Sequence, residues 1–227
     1  MNKCYCIAEA GINHNGYIGI AKKLIDAAKY AGADAIKFQT FWDIRHLEQY
    51  EFTKKQWYEL KRYCDKVKIT FLSTPHTFEA IHFIDKLVPF HKVASSYLGL
   101  PNFLMEVASK NKPVLLSTGS LIHNDGMATV EEITNALQFF EKNKVTLMHC
   151  VSKYPCYNAQ RDREWELEGI VGGCDIGLSD HTKNIYYDRL YPFLEKHIML
   201  EGLKCPDECV SITPKQFKEM VNCLTSI

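Results

Sequence analysis

Eight short apolar runs of strand length alternate with amphipathic stretches along the whole chain, and this alternation constrains the fold more than any other feature of the sequence. The runs predict strands at Cys4–Ala10, Ala33–Gln39, Val67–Ser73, His91–Ser95, Pro113–Thr118, Val145–Cys150, Asp175–Ser179 and Phe193–His197. Between them, helical spacing predicts helices at Ile20–Ala31, Lys54–Cys64, Phe78–Lys86, Asn102–Lys110, Val130–Asn143 and Pro214–Leu224, with weaker patterns near Trp165–Val171 and Ile185–Tyr191. Strands that are apolar throughout, each followed by a helix, require parallel pairing with both faces covered, because a parallel neighbour needs a crossover. Eight such units predict a closed (β/α)8 TIM barrel, compact because 227 residues is short against the typical length of about 250. The other arrangement of such units is an open doubly wound sheet, but no Gly-x-Gly-x-x-Gly, Walker loop or nucleophile elbow supports it. No linker or repeat interrupts the pattern, so 1–227 reads as one domain.

Charge narrows the function classes. Lys+Arg 27 against Asp+Glu 27 leaves no net basic field for nucleic acid. No run of about eighteen apolar residues predicts a membrane span, and Met1-Asn2-Lys3-Cys4 leads straight into a strand instead of a signal-peptide core. The expectation is a cytoplasmic protein. Its nine cysteines lie mostly in strand-like segments, the usage of reduced, buried thiols. Neither Cys4-Tyr-Cys6 nor Cys205-Pro-Asp-Glu-Cys209 has the two-residue spacing of a zinc knuckle.

In a parallel barrel the catalytic face is the C-terminal end of the strands. Chemically capable side chains stand there in every unit: Glu9; Lys37 and Gln39; Ser73 and Thr74; Lys92 and Ser95; Ser117 and Thr118; His149, Ser152 and Tyr154; Ser179, Asp180 and His181; Glu195 and His197. Singly, each has an ordinary reading: a Lys reaching a buried carboxylate, a Ser capping the next helix, a hydrogen-bonded core His. Two buried lysines in one cavity nevertheless need anionic company, which a bound phosphate or carboxylate would supply. His181 and His197 end neighbouring strands at matching depth, which suits a divalent metal with a carboxylate such as Glu9, or a pair of structural histidines.

The segments Ile7-Ala-Glu-Ala-Gly-Ile-Asn-His-Asn-Gly16, Ala31-Gly-Ala-Asp-Ala-Ile-Lys-Phe-Gln-Thr40, Lys92-Val-Ala-Ser95, Leu116-Ser-Thr-Gly119, His149-Cys-Val-Ser-Lys-Tyr-Pro155, Gly177-Leu-Ser-Asp-His-Thr182 and Leu194-Glu-Lys-His197 together resemble the sialic acid synthase family, in order over nearly the whole chain. That resemblance implies a barrel enzyme condensing phosphoenolpyruvate with the aldehyde of an N-acyl hexosamine, with Mn2+ or Mg2+ as cofactor. By the same resemblance His181 and His197 are the metal ligands. Lys37, Lys92, Ser95, Ser117 and Ser179 face phosphoenolpyruvate, with Thr74 and Ser152 beside them on the substrate side. Glu9, Gln39, Tyr154, Glu195 and Asp207 line the aldehyde and sugar side, and Glu9, Lys37 and Glu195 are the catalytic candidates.

The sequence also departs from that family. The family's C-terminal antifreeze-like domain is not in it, which leaves open a homodimer or a partner chain as its supplier. The Thr40–Val67 connection is short, Ser96-Tyr97 stands where Gly-Glu is usual, and N-acetylmannosamine is expected to be a poor acceptor for this chain alone. Two other readings share the motifs: a non-catalytic protein that binds phosphoenolpyruvate or phosphate, and a Schiff-base aldolase using Lys37 or Lys92.

Overall fold

The computed structural model describes residues 3–42, 44–156, 167–169 and 174–226. Its eight strands are β1 (Tyr5–Gly11), β2 (Ala35–Thr40), β3 (Thr70–Pro75), β4 (His91–Val93), β5 (Val114–Ser117), β6 (Val145–Cys150), β7 (Asp175–Asp180) and β8 (Phe193–His197). They form one sheet in the order β3-β2-β1-β8-β7-β6-β5-β4, every pair parallel. The two end strands β3 and β4 lie against each other, which brings the sheet round into a nearly closed barrel. All eight predicted strands are therefore present.

The helices are α1 (Ile18–Tyr30), α2 (Lys54–Val67), α3 (Phe78–Ile84), α4 (Pro101–Ala108), α5 (Val130–Leu137) and α6 (Pro214–Leu224). Local chemistry starts most of them. Thr53 with Gln56, Thr129 with Glu132 and Thr213 with Gln216 form capping boxes, and Thr77 caps α3. Two of the helical expectations meet a different outcome. The Trp165–Val171 pattern falls largely outside the described residues, of which 167–169 are helical. The Ile185–Tyr191 pattern is not a helix: Tyr187 turns in to donate its hydroxyl to Asp180 Oδ2 at 2.7 Å, and that tertiary bond overrides a weak propensity.

Pleating decides which strand-end residues reach the barrel interior. Odd-numbered positions of β1, β2, β7 and β8 and even-numbered positions of β3, β4 and β6 face inward. The interior is floored by Ile7, Leu72, Leu115 and Met148, all buried. Gly177 opposes Met148 in register, and a Cβ there would lie 2.6 Å from the Met148 sulfur, so the floor closes only over a glycine. The outward faces meet the helices in two apolar clusters, an aromatic one around Phe38, Trp57 and Phe71 and an aliphatic one around Leu104, Leu116 and Leu147.

Candidate active site

Above the floor, at the C-terminal ends of the strands, lies a cavity of about 150 Å³. Its wall contains Glu9, Lys37, Gln39, Thr74, Lys92 and Ser95 from the first four units. The other units contribute Ser117, Ser152, Tyr154, Ser179, His181, Glu195 and His197. Of the candidates assigned from the sequence, Asp207 stands apart: it sits behind His197, its Oδ2 3.4 Å from Nδ1. Ser73, Thr118, His149 and Asp180 end strands too, but their parity turns them outward, away from the cavity.

The lysines find their anionic company inside the protein. Lys37 Nζ lies 2.7 Å from Glu9 Oε2 and 3.7 Å from Glu195 Oε2, and donates to Thr74 Oγ1 at 2.8 Å. Lys92 Nζ donates to Glu195 Oε1 at 2.8 Å, and the Ser179 hydroxyl donates to the same oxygen at 3.0 Å. Gln39 Nε2 donates to Glu9 Oε1 at 3.3 Å. Register puts these groups together, since Glu9 opposes Lys37 and Ser179 opposes Glu195. Burial penalises both carboxylates, but with opposite results. At Glu195 the flanking Lys37 and Lys92 outweigh it and hold the carboxyl well below its usual range. At Glu9 burial wins and pushes the carboxyl up, although Lys37 opposes it. Burial also disfavours the Lys37 charge, yet the two carboxylates keep that ammonium pKa raised.

The histidines form the opposite wall. The two rings are 5.4 Å apart, and both Nε2 atoms reach the Tyr154 hydroxyl, at 3.0 Å from His181 and 3.2 Å from His197. Behind them, His181 Nδ1 is 2.8 Å from the Val151 carbonyl and His197 Nδ1 faces Asp207. Burial raises the Asp207 carboxyl, and the neighbouring His197 more than offsets it, leaving that carboxyl lowered. Asp207 is held in turn by Asn13, whose Oδ1 accepts from the Asp207 N–H at 3.0 Å while its Nδ2 donates to the Ile198 carbonyl at 2.9 Å. Gly11 leaves the room this needs, at φ +50 with Asp207 Oδ2 only 2.8 Å from where a Cβ would stand.

Two cavity features escaped the sequence reading. Cys150 lies between Ser95 Oγ at 3.7 Å and His181 Nδ1 at 3.8 Å. Burial pushes its thiol up and His181 overrides that, bringing it down to about 7; burial likewise lowers His181, and the Cys150 sulfur lifts it to about 8. Inward parity with Ser152 was the signal for Cys150. Gly119 is the other: a Cβ there would collide with the hydroxyls of Ser152 and Ser95, so its bare backbone keeps a hydroxyl-lined recess open. Tyr97 is not in the wall; it donates to the His76 carbonyl at 2.7 Å and stacks on Phe103 with centroids 4.0 Å apart.

The cavity can be set beside known proteins. The sequence profile of the NeuB family matches residues 42–227. An uncharacterized protein of Methanocaldococcus jannaschii is 37% identical, the match covering 96% of this chain and 69% of that protein. The N,N'-diacetyllegionaminic acid synthase of Campylobacter jejuni is 31% identical over 96% of this chain and 74% of its own length. Among solved structures, the N-acetylneuraminic acid (sialic acid) synthetase of Leptospira borgpetersenii serovar Hardjo-bovis, in complex with citrate, superposes with a TM-score of 0.89 at 29% identity, covering 99% of this chain and 84% of that one. A truncated 3-deoxy-D-arabino-heptulosonate 7-phosphate synthase from Thermotoga maritima shares the fold at a TM-score of 0.74 and 13% identity. The chain belongs to the NeuB family and is an enzyme related to the sialic acid synthases.

Proposed function

We propose that this chain condenses phosphoenolpyruvate with the open-chain aldehyde of an N-acyl hexosamine or related aldose, giving a 3-deoxy-2-keto sugar acid and phosphate. One observation carries the reading: two ammonium groups, a ring of hydroxyls and two imidazole Nε2 atoms converge on one cavity at the catalytic end of the barrel. Relatives named for making legionaminic and N-acetylneuraminic acids support it.

Lys37 and Lys92 are matched by Glu9 and Glu195, so an anion carrying both a phosphate and a carboxylate enters a nominally neutral site and needs further positive charge. His181 and His197 suit a divalent ion, manganese or magnesium: both Nδ1 atoms face acceptors, and both Nε2 atoms, where a metal would displace any proton, are directed at one shared point. A metal bound there supplies the Lewis acidity that polarises an aldehyde oxygen. Lys92 with Ser95, Ser117, Ser152 and Ser179 binds phosphate and carboxylate and fixes the enol face, an entropic contribution. Glu9, a carboxylate that burial makes more basic than usual, stands beside Lys37 and is the group best able to take a proton from the attacking water and pass it to the aldehyde side. Gln39, Thr74, Tyr154 and, through His197, Asp207 orient the acceptor end. Carbon three bonds to the aldehyde carbon, and water adds its oxygen at carbon two. Phosphate leaves with the former enol oxygen, and the two water protons end on the new hydroxyl and on phosphate.

The Schiff-base alternative fares worse, because Lys37 lies between two carboxylates and Lys92 against one, and an ammonium so paired is a poor amine nucleophile. Borohydride in the presence of a keto acid is expected to leave no adduct. The decisive assay is phosphate release from phosphoenolpyruvate across N-acetylmannosamine and neutral aldoses of four to six carbons, with and without manganese. Release that depends on an aldehyde supports the proposal; binding of phosphoenolpyruvate without release for any acceptor overturns it.

A further inference from the structure

One polar cluster is sealed beneath the mouth, on the outer face of the barrel. Lys196 is 0% exposed, and its Nζ lies 2.9 Å from Asp180 Oδ2. The Tyr187 hydroxyl donates to the same oxygen at 2.7 Å, the Thr182 N–H donates to Oδ1 at 2.7 Å, and Thr182 Oγ1 is 3.4 Å from Nζ. None of these groups borders the cavity. A buried ion pair is a costly way to fill such a space, since apolar residues of similar volume often do as well or better. Its presence therefore asks what it fixes.

The register answers. Leu178 opposes Leu194, Ser179 opposes Glu195 and Asp180 opposes Lys196, all in parallel. The next residues along the two strands are His181 and His197. Side chains alternate, so the ion pair faces out exactly where the following histidines face in. Leu178 and Leu194 alone specify the offset of β7 against β8 weakly, because apolar side chains accept many neighbours. A slip of one residue would turn a histidine out of the cavity. It would also separate Asp180 from Lys196 and leave two buried charges unpaired, which penalises every wrong register.

We infer that Asp180 and Lys196 are positioning residues, a register lock that holds His181 and His197 opposite one another so that both Nε2 atoms reach one point. Thr182 and Tyr187 fasten the β7–β8 connection to the same lock. The Val151 and Asp207 contacts orient the individual rings, whereas the lock sets the offset of the strands that carry them. The inference rests on the metal-binding reading of the two histidines for its consequence, but the juxtaposition it explains is measurable without metal.

The test compares the wild-type chain with Asp180→Leu/Lys196→Met, in which both charges go together, and with the milder Tyr187→Phe. Manganese affinity is titrated by the electron paramagnetic resonance of the free ion. The 15N signals of the two imidazoles are recorded on the metal-free protein, and near-ultraviolet circular dichroism reports folding. The double variant is expected to fold, to lose about 10- to 100-fold in manganese affinity, and to show displaced imidazole signals. Tyr187→Phe is expected to move both readouts less, in the same direction. A folded double variant with manganese affinity within about twofold of wild type and unmoved imidazole signals overturns the lock. Should the wild type bind no manganese, the metal reading falls and the imidazole signals alone decide the lock. Should the double variant not fold, Tyr187→Phe decides it, and imidazole signals unmoved there overturn it.

Discussion

Glu195 and Lys196 are neighbours on one strand, both ionic and both buried, yet they belong to networks of opposite character. Glu195 faces into the cavity with Glu9, Lys37 and Lys92. Lys196 faces outward to Asp180. On the outer side both carboxylate oxygens are saturated, Oδ1 by the Thr182 N–H and Oδ2 by Lys196 and Tyr187. On the inner side Glu9 Oε2 and Glu195 Oε2 have no partner beyond the Lys37 ammonium, and the two residues line the cavity. Saturated charge under apolar cover holds structure; incompletely satisfied charge beside a cavity is available to a ligand. The same chemistry is thus sorted into two uses by strand parity alone.

The largest expected effect attacks the outer network. Lys196→Met strands a buried carboxylate, and breaking such a pair costs about 3–5 kcal/mol. Urea unfolding should show that loss, and Asp180→Leu/Lys196→Met should recover most of it. A single variant as stable as wild type would show that the pair is not electrostatically buried at all.

The inner network should respond the other way round. Lys92→Met leaves Glu195 with Lys37 and Ser179, so stability should change by only about 1–2 kcal/mol. Turnover should suffer far more, with kcat/KM for phosphoenolpyruvate falling about 100- to 1,000-fold, as when a preorganised donor to developing charge is removed. Equal losses of stability in Lys92→Met and Lys196→Met would erase the distinction between the two networks.

Much of this was legible in the sequence. Eight apolar runs gave eight strands, and the strand-end residues inside the family-like motifs, Lys37, Lys92, Ser179, His181 and Glu195 among them, do converge. Two things were not legible. Which of two adjacent polar residues faces inward depends on the phase of the pleat, which a short apolar run does not fix, so Asp180, His149 and Ser73 looked equivalent to the neighbours that line the cavity. Nor could the partners of the lysines be read. A lysine reaching a buried carboxylate and a lysine in a binding site looked like competing descriptions, and in Lys37 and Lys92 they are the same thing. The expected helix at Ile185–Tyr191 failed for a related reason: its Tyr187 answers to Asp180, a contact no local pattern contains.

A third kind of burial, without any ionic partner, should show an effect on stability smaller than that of the outer network and tied to pH. His14 is 0% exposed and packs against Phe52, the rings tilted with centroids 4.5 Å apart, and its Nε2 has no partner. Burial lowers its pKa to about 4 from an ordinary 6.5. A histidine whose folded pKa is depressed is protonated more readily when unfolded, so its contribution is intact above the unfolded value and is lost as pH falls from 6.5 toward 4. Between pH 7 and pH 5 this amounts to about 2 kcal/mol. His14→Gln should flatten the urea-derived stability over that range by the same amount; an unchanged slope would mean that the ring is hydrated.

The smallest expected effect supplies the solvent-exposed counterpart of both networks. Lys61 and Asp65 pair at 2.7 Å one turn apart on α2, with side-chain exposures of 28% and 59%. The geometry is as close as that of Lys196 with Asp180. The environment differs: water already solvates both ions, holding two long side chains together costs rotamer freedom, and salt screens what remains. Lys61→Gln should therefore cost only about 0.3–0.5 kcal/mol, and less as salt is raised. Measured in the same urea series as Lys196→Met, it isolates burial as the variable that separates a decisive ion pair from an incidental one. A loss at Lys61 comparable to that at Lys196 would show that distance alone sets the energy, and the contrast between the inner and outer faces of β8 would then need another explanation.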